Sequence, residues 1–107
     1  MSKSALLKEA KKLEFVIGAG MGAPVAVGHG MSCARVYVVV QAEKADLVAA
    51  AAKRFGLIFQ KKAHYGYSNA LYVGYDTGTG RVAAQGNGIV KAFEAEGIKA
   101  YLEFGED

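Results

Sequence analysis

"ARVYVVVQAEKADLVAAAAKRFG", residues 34–56, changes periodicity part-way, and that change decides the fold class. Residues 34–40 are β-branched and aromatic, the composition of a central strand. From Lys44 the chain turns alanine-rich, Leu47, Val48, Ala51, Ala52 and Phe55 share one helical face, and Gly56 stands where a helix ends on a left-handed residue. Downstream, "LIFQKKAHY" (57–65) and "NALYVGYD" (69–76) read as two strands, with Gly66 to Ser68 turning the chain between them. "DTGTG" leads into a second helix over 79–96, where Val82, Gly86, Ile89 and Phe93 recur at helical spacing before Gly97. In "IKAYLEF" (98–104), Ile98, Ala100, Leu102 and Phe104 alternate with Lys99, Tyr101 and Glu103, the period of a half-buried strand.

The succession β-α-β-β-α-β over residues 34–107 predicts an α+β fold of ferredoxin-like type. Its antiparallel sheet would have the spatial order 4-1-3-2, with both helices on one face. Residues 1–33 are additional to that unit. "KSALLKEAKKLE" (3–14) reads as a short amphipathic helix presenting Leu6, Leu7, Ala10 and Leu13, and 15–33 as a glycine-rich connection in which "FVI" and "PVAV" form short strands. This segment is expected to cover the other face of the sheet or to reach a second subunit.

A chain of 107 residues has room for one domain, and 52% hydrophobic with 21% charged residues is a globular composition. The net charge of +3 permits an anionic partner without requiring one. A single cysteine, Cys33, leaves no internal disulfide, so the fold does not depend on an oxidising compartment and the cytoplasm is the expected location. Phe15 to Ala34 carries no formal charge and is long enough to span a bilayer, but Pro24 and the glycines at 18, 20, 22, 28 and 30 lower its hydropathy and helical propensity. Glu9 and Glu14 interrupt the basic stretch that a secretory signal would need. No membrane partner is expected.

Four short motifs look chemical. Gly18, Gly20 and Ala23 have the spacing of a dinucleotide fingerprint, and Glu43 follows at the distance of a ribose-binding acid. The helix required after such a turn would have to come from "APVAVGHGMSCA", which has no amphipathic face, so a structural connection is the expected role. Ser32 lies in G-x-S-x-A, but a strand follows it where a nucleophile elbow needs a helix. Asp76 lies in D-T-G, where the glycines predict a turn whose backbone the carboxylate bonds. His29, His64 and Cys33 have no zinc-site spacing, and Cys33 is expected to be a small buried group. No metal or cofactor is expected.

The constellation of most interest lies on the sheet. With Val36, Val38 and Val40 facing the helices, Arg35, Tyr37 and Val39 face away, and the same alternation turns Tyr72, Gly74, Lys99, Tyr101 and Glu103 to that side. Strands 4, 1 and 3 are neighbours in the expected order, so Tyr101, Tyr37 and Tyr72 gather on the helix-free face with Arg35 and Lys99 beside them. RNA-recognition domains stack bases on aromatic rings so placed. Tyrosines are also common at protein interfaces, where the ring buries and the hydroxyl bonds. Lys53, Arg54, Lys61, Lys62 and His64 form a basic group around the second strand, where lysines discourage edge pairing. The leading expectation is a non-catalytic binding module that self-associates, as a homodimer, or takes a protein partner. Single-stranded nucleic acid on the tyrosine face is the first alternative, and a nucleotide at Gly18 to Ala23 the second.

Overall fold

The computed structural model describes residues 2–28, 33–62 and 67–105. Among these, four strands, β1 (Ala34–Val40), β2 (Ile58–Gln60), β3 (Ala70–Asp76) and β4 (Ala100–Gly105), form one antiparallel sheet in the order β2-β3-β1-β4. This is the expected 4-1-3-2 order read from its other edge. Among the described residues the helices α1 (Lys3–Gly22), α2 (Ala45–Phe55) and α3 (Arg81–Ala95) complete an α+β architecture, with a 3₁₀ turn at Ala42–Lys44 between β1 and α2.

The core lies on one face of the sheet. Val36, Val38 and Val40 of β1 and Leu71 and Val73 of β3 meet Val48, Ala51 and Ala52 of α2 and Ala83, Ile89, Val90 and Phe93 of α3. α2 ends on Gly56, whose left-handed φ of 97° accompanies an N–H···O bond of 2.8 Å to Ala52, as the sequence indicates. β2 is shorter than expected, three residues instead of nine, and His64 lies outside the described residues.

The N-terminal third differs from expectation. α1 does not stop at Glu14; it runs through Gly18 and Gly20 to Gly22, so the dinucleotide fingerprint at Gly18, Gly20 and Ala23 has no strand and no phosphate-binding turn. Glu43 belongs to the 3₁₀ turn after β1 and lies beside Gln41 and Lys99, while Gly18 lies against Phe55. Nor do the described residues of this segment cover the other face of the sheet: α1 packs against α2 and α3, and its Leu13 and Ile17 enter the same core.

Two effects hold these glycines in a helix. Burying Leu13 and Ile17 contributes about 3–6 kcal/mol, against a propensity cost of about 1 kcal/mol for each of three glycines. The glycines also allow close approach: a Cβ on Gly20 would lie 2.7 Å from the Ile89 Cα, and one on Gly88 would collide with the Gly20 carbonyl oxygen. α1 and α3 therefore touch backbone to backbone. Ser2 caps the start of α1 by accepting the Ala5 N–H at 3.2 Å. Beyond Gly22 the chain is tied to α3, with the Val25 N–H bonded to the Ala84 carbonyl at 3.0 Å and Asn87 Nδ2 donating to the Val25 carbonyl at 3.2 Å. "PVAV" is thus a strap along a helix and not a strand. Cys33 is exposed, contrary to expectation, because Ala34 takes the first buried position of β1.

One irregularity in the sheet changes which side chains share a face. The register of β1 against β3 pairs Val36 with Gly74 but Tyr37 with Tyr72, a bulge that leaves Val73 as the extra residue. Gly74 therefore belongs to the helix side, where an added Cβ would meet Val82 at 3.2 Å. Tyr75 replaces it opposite Arg35 on the helix-free face.

Candidate interaction face on the sheet

Tyr37 and Tyr72 are cross-strand partners on the helix-free face, with ring centroids 5.4 Å apart and planes inclined by 51°. A third ring joins them that the sequence does not reveal. Tyr67, in the turn before β3, lies edge-on to Tyr37 at 5.7 Å and donates its hydroxyl to the Phe104 carbonyl at 3.1 Å. Gln60 Nε2 donates to the Tyr67 carbonyl at 3.1 Å, so Tyr67 is held over the sheet from the end of β2. Burial, and then the adjacent Glu103 carboxylate, push the Tyr67 phenol above its ordinary pKa.

Tyr37 consequently sits in a small second core with Val39, Ala70 and Tyr67 and is only 4% exposed. Around this centre the face is open. Ile58 is 65% exposed, Tyr101 54% and Tyr75 40%, and Tyr72 is half-buried. The registers place Ile58, Tyr72, Tyr37 and Glu103 in one row across the sheet, and Gln60, Ala70, Val39 and Tyr101 in the next. Of the five residues expected together, Tyr37 and Tyr72 touch, Arg35 lies beside Tyr37 with both next to Gly105, Tyr101 stands across Val39, and Lys99 is exposed just ahead of β4. Tyr101 was legible from alternation; Tyr67 was not, because a turn residue has no period to assign it a face.

Two members of the basic group at α2 and β2 are engaged within the fold. Lys61 pairs with Asp46 at 2.6 Å and Arg54 Nε with Glu14 at 3.1 Å, joining β2 to α2 and α2 to α1. Both pairs are solvent-exposed, where such contacts contribute at most about 1 kcal/mol.

Asp76 closes β3 and is fully buried. Its Oδ1 accepts the N–H groups of Gly78 at 2.8 Å and Gly80 at 3.0 Å, and its Oδ2 accepts that of Ala83 at 3.0 Å. Burial pushes the pKa up, but bonds from the backbones of Ala83, Gly80, Gly78 and Val82 outweigh it, and the net displacement is downward. Gly80, at the N-cap of α3, has no side chain, and Asp76 supplies the missing acceptor from across the turn. Both carboxylate oxygens are thus held by the chain's own backbone, which makes D-T-G a structural turn. Among the described residues no three His, Cys, Asp or Glu side chains come together as a metal site, and no helix is long and apolar enough to cross a membrane. Comparison of the chain with protein-family models, curated proteins and solved structures finds no match.

Proposed function

We propose that this chain is a non-catalytic binding module of ferredoxin-like topology that acts by self-association through its sheet. The observation that carries the reading is the helix-free face: exposed Ile58, Tyr75 and Tyr101 surround a tyrosine centre already packed in the protomer. A preordered aromatic surface gives up little side-chain entropy on docking, and tyrosine suits it because its ring buries while its hydroxyl remains bonded. Arg35 and Glu103 are the ionisable non-tyrosine side chains that β1, β3 and β4 turn to this face, and low charge is a feature of interface centres.

The surface is small. Four strands at about 4.8 Å spacing and six residues at about 3.3 Å give a face of about 20 Å by 20 Å, at the low end of interface sizes. Sedimentation equilibrium of the full chain is therefore expected to give a dimer with a dissociation constant of about 1–50 μM. A monomer throughout a range up to about 500 μM would overturn the proposal.

A second reading, single-stranded nucleic acid on the same face, is favoured by the exposure of Tyr101 with Lys99 two residues before it. The burial of Tyr37 counts against it, since a covered ring offers no face to a base. Salt-sensitive anisotropy of a labelled single-stranded RNA, lost in Tyr101→Ala, would favour this reading over self-association.

A further inference from the structure

The two edges of the sheet are unlike. β2 has three residues and is followed by Lys61 and Lys62, the short and basic kind of edge that resists pairing. β4 has six residues and no proline, and among the described residues no strand lies on its outer side. We infer that β4 is the self-association edge: two copies pair antiparallel through it about a two-fold axis at Tyr101, joining their sheets into one of eight strands. This rests on the self-association proposed above but sets the contact at the β4 border of that face, at Tyr101, and leaves Ile58 and Tyr75 outside it.

Three observations converge on that register. The first is the direction of the backbone groups. The Gln41 N–H bonds the Lys99 carbonyl at 3.1 Å and the Lys99 N–H bonds Gln41 Oε1 at 2.8 Å, so Lys99 turns both its backbone groups toward β1. In an antiparallel ladder the direction alternates along the strand, so Tyr101 and Glu103 also bond toward β1, while Ala100, Leu102 and Phe104 direct theirs to the open side. At each end of this row one group is already engaged: Tyr67 donates to the Phe104 carbonyl, and the Ile98 N–H donates to the Phe93 carbonyl. Ala100 and Leu102 lie between. A two-fold at Tyr101 sets Ala100 against Leu102 of the second copy, and the reverse, for four ladder bonds.

The second observation is charge. The same register sets Lys99 opposite Glu103 of the second copy, twice per dimer, and the alternation of β4 extended to position 99 puts both positions on the helix-free side, with Tyr101 facing its own symmetry mate between them. These are non-hydrogen-bonded positions, where cross-strand side chains approach most closely. Displacing the axis to Leu102 would set Glu103 against Tyr101 and lose both ion pairs. The third is shape: a shallow cleft of about 390 Å³, lined by Glu94, Gly97, Ile98, Lys99 and Ala100, lies at this end of β4 on the helix side. Phe104 of the second copy comes opposite Ile98 there.

Amide hydrogen exchange of the full wild-type chain, read residue by residue below and above the midpoint concentration found by sedimentation, tests the edge directly. The Ala100 and Leu102 amides are expected to slow at least tenfold in the dimer, while those of Tyr101 and Glu103, bonded to β1, change little. A dimer in which Ala100 and Leu102 exchange as fast as in the monomer overturns the edge and leaves self-association standing; a chain monomeric at every concentration overturns both. A mixing experiment tests the register. Lys99→Glu and Glu103→Lys each oppose like charges at both ends and are expected to weaken the homodimer at least tenfold, whereas an equimolar mixture of the two variants restores four-way complementarity and dimerises to within about threefold of wild type. Variants that dimerise as well apart as mixed would overturn the register.

Discussion

Asp76→Asn keeps the shape of a side chain on which the start of α3 depends and removes its charge. A hydrogen bond to an ionised acceptor contributes about 1.5–3 kcal/mol and a neutral one about 0.5–1.5. The bonds from Gly78 and Gly80 to Oδ1 survive on an amide oxygen, each weaker by about 1 kcal/mol. The amide nitrogen then replaces Oδ2 opposite the Ala83 N–H, donor against donor, which forfeits the third bond and leaves a buried N–H unsatisfied at a cost of about 1–3 kcal/mol. The total loss is about 3–5 kcal/mol, a large share of the about 5–15 kcal/mol that such a domain has. Because the folded pKa of Asp76 is depressed, its contribution is present above the unfolded value of about 3.9 and is lost as pH falls through the folded one. Urea unfolding followed by circular dichroism is therefore expected to show the full difference between wild type and Asp76→Asn near neutral pH, shrinking below about pH 4. A difference under about 1 kcal/mol at neutral pH, or one that does not diminish in acid, would refute this account of the turn.

The glycines of the α1–α3 contact should separate by position: Gly88→Ala, whose Cβ meets the Gly20 carbonyl, is expected to destabilise by at least about 2 kcal/mol, whereas Gly22→Ala, with nothing within 4 Å, is expected to stabilise by about 0.5–1 kcal/mol, both read by urea unfolding. Tyr67→Phe keeps the ring against Tyr37 and loses the bond to Phe104, with an expected loss of about 1 kcal/mol in the same assay. Tyr37→Ala empties the centre of the second core and is expected to cost about 3–5 kcal/mol, whereas the exposed Tyr101→Ala stays within about 0.5 kcal/mol of wild type in stability while raising the dimer dissociation constant in sedimentation.

Much of the architecture was legible from residue 34 onward. β1 matched its expected bounds because an unbroken β-branched and aromatic run has no competing reading, and the helix ending at Gly56 carries its own stop signal. With the element string in hand, the split βαβ pattern supplied the strand order. The tyrosine face followed from alternation, except at Gly74 and Tyr75, where a bulge of one residue reverses the faces and no local signal in "LYVGYD" announces it.

What the sequence alone determined, then, is what short-range periodicity and turn chemistry can specify: the order of elements from residue 34 onward, their facing sides within regular stretches, and the turn that Asp76 holds. Tertiary structure alone decided the rest. Gly18 and Gly20 carry an intrinsic preference against helix, overridden by the burial of Leu13 and Ile17 and by the backbone contact that Gly20 makes with Gly88, 68 positions further along the chain. Tyr67 has no periodic neighbours, and only the folding of its turn back over β1 assigns it to the face. In both cases the deciding term is an interaction between residues distant in sequence, which no local window contains.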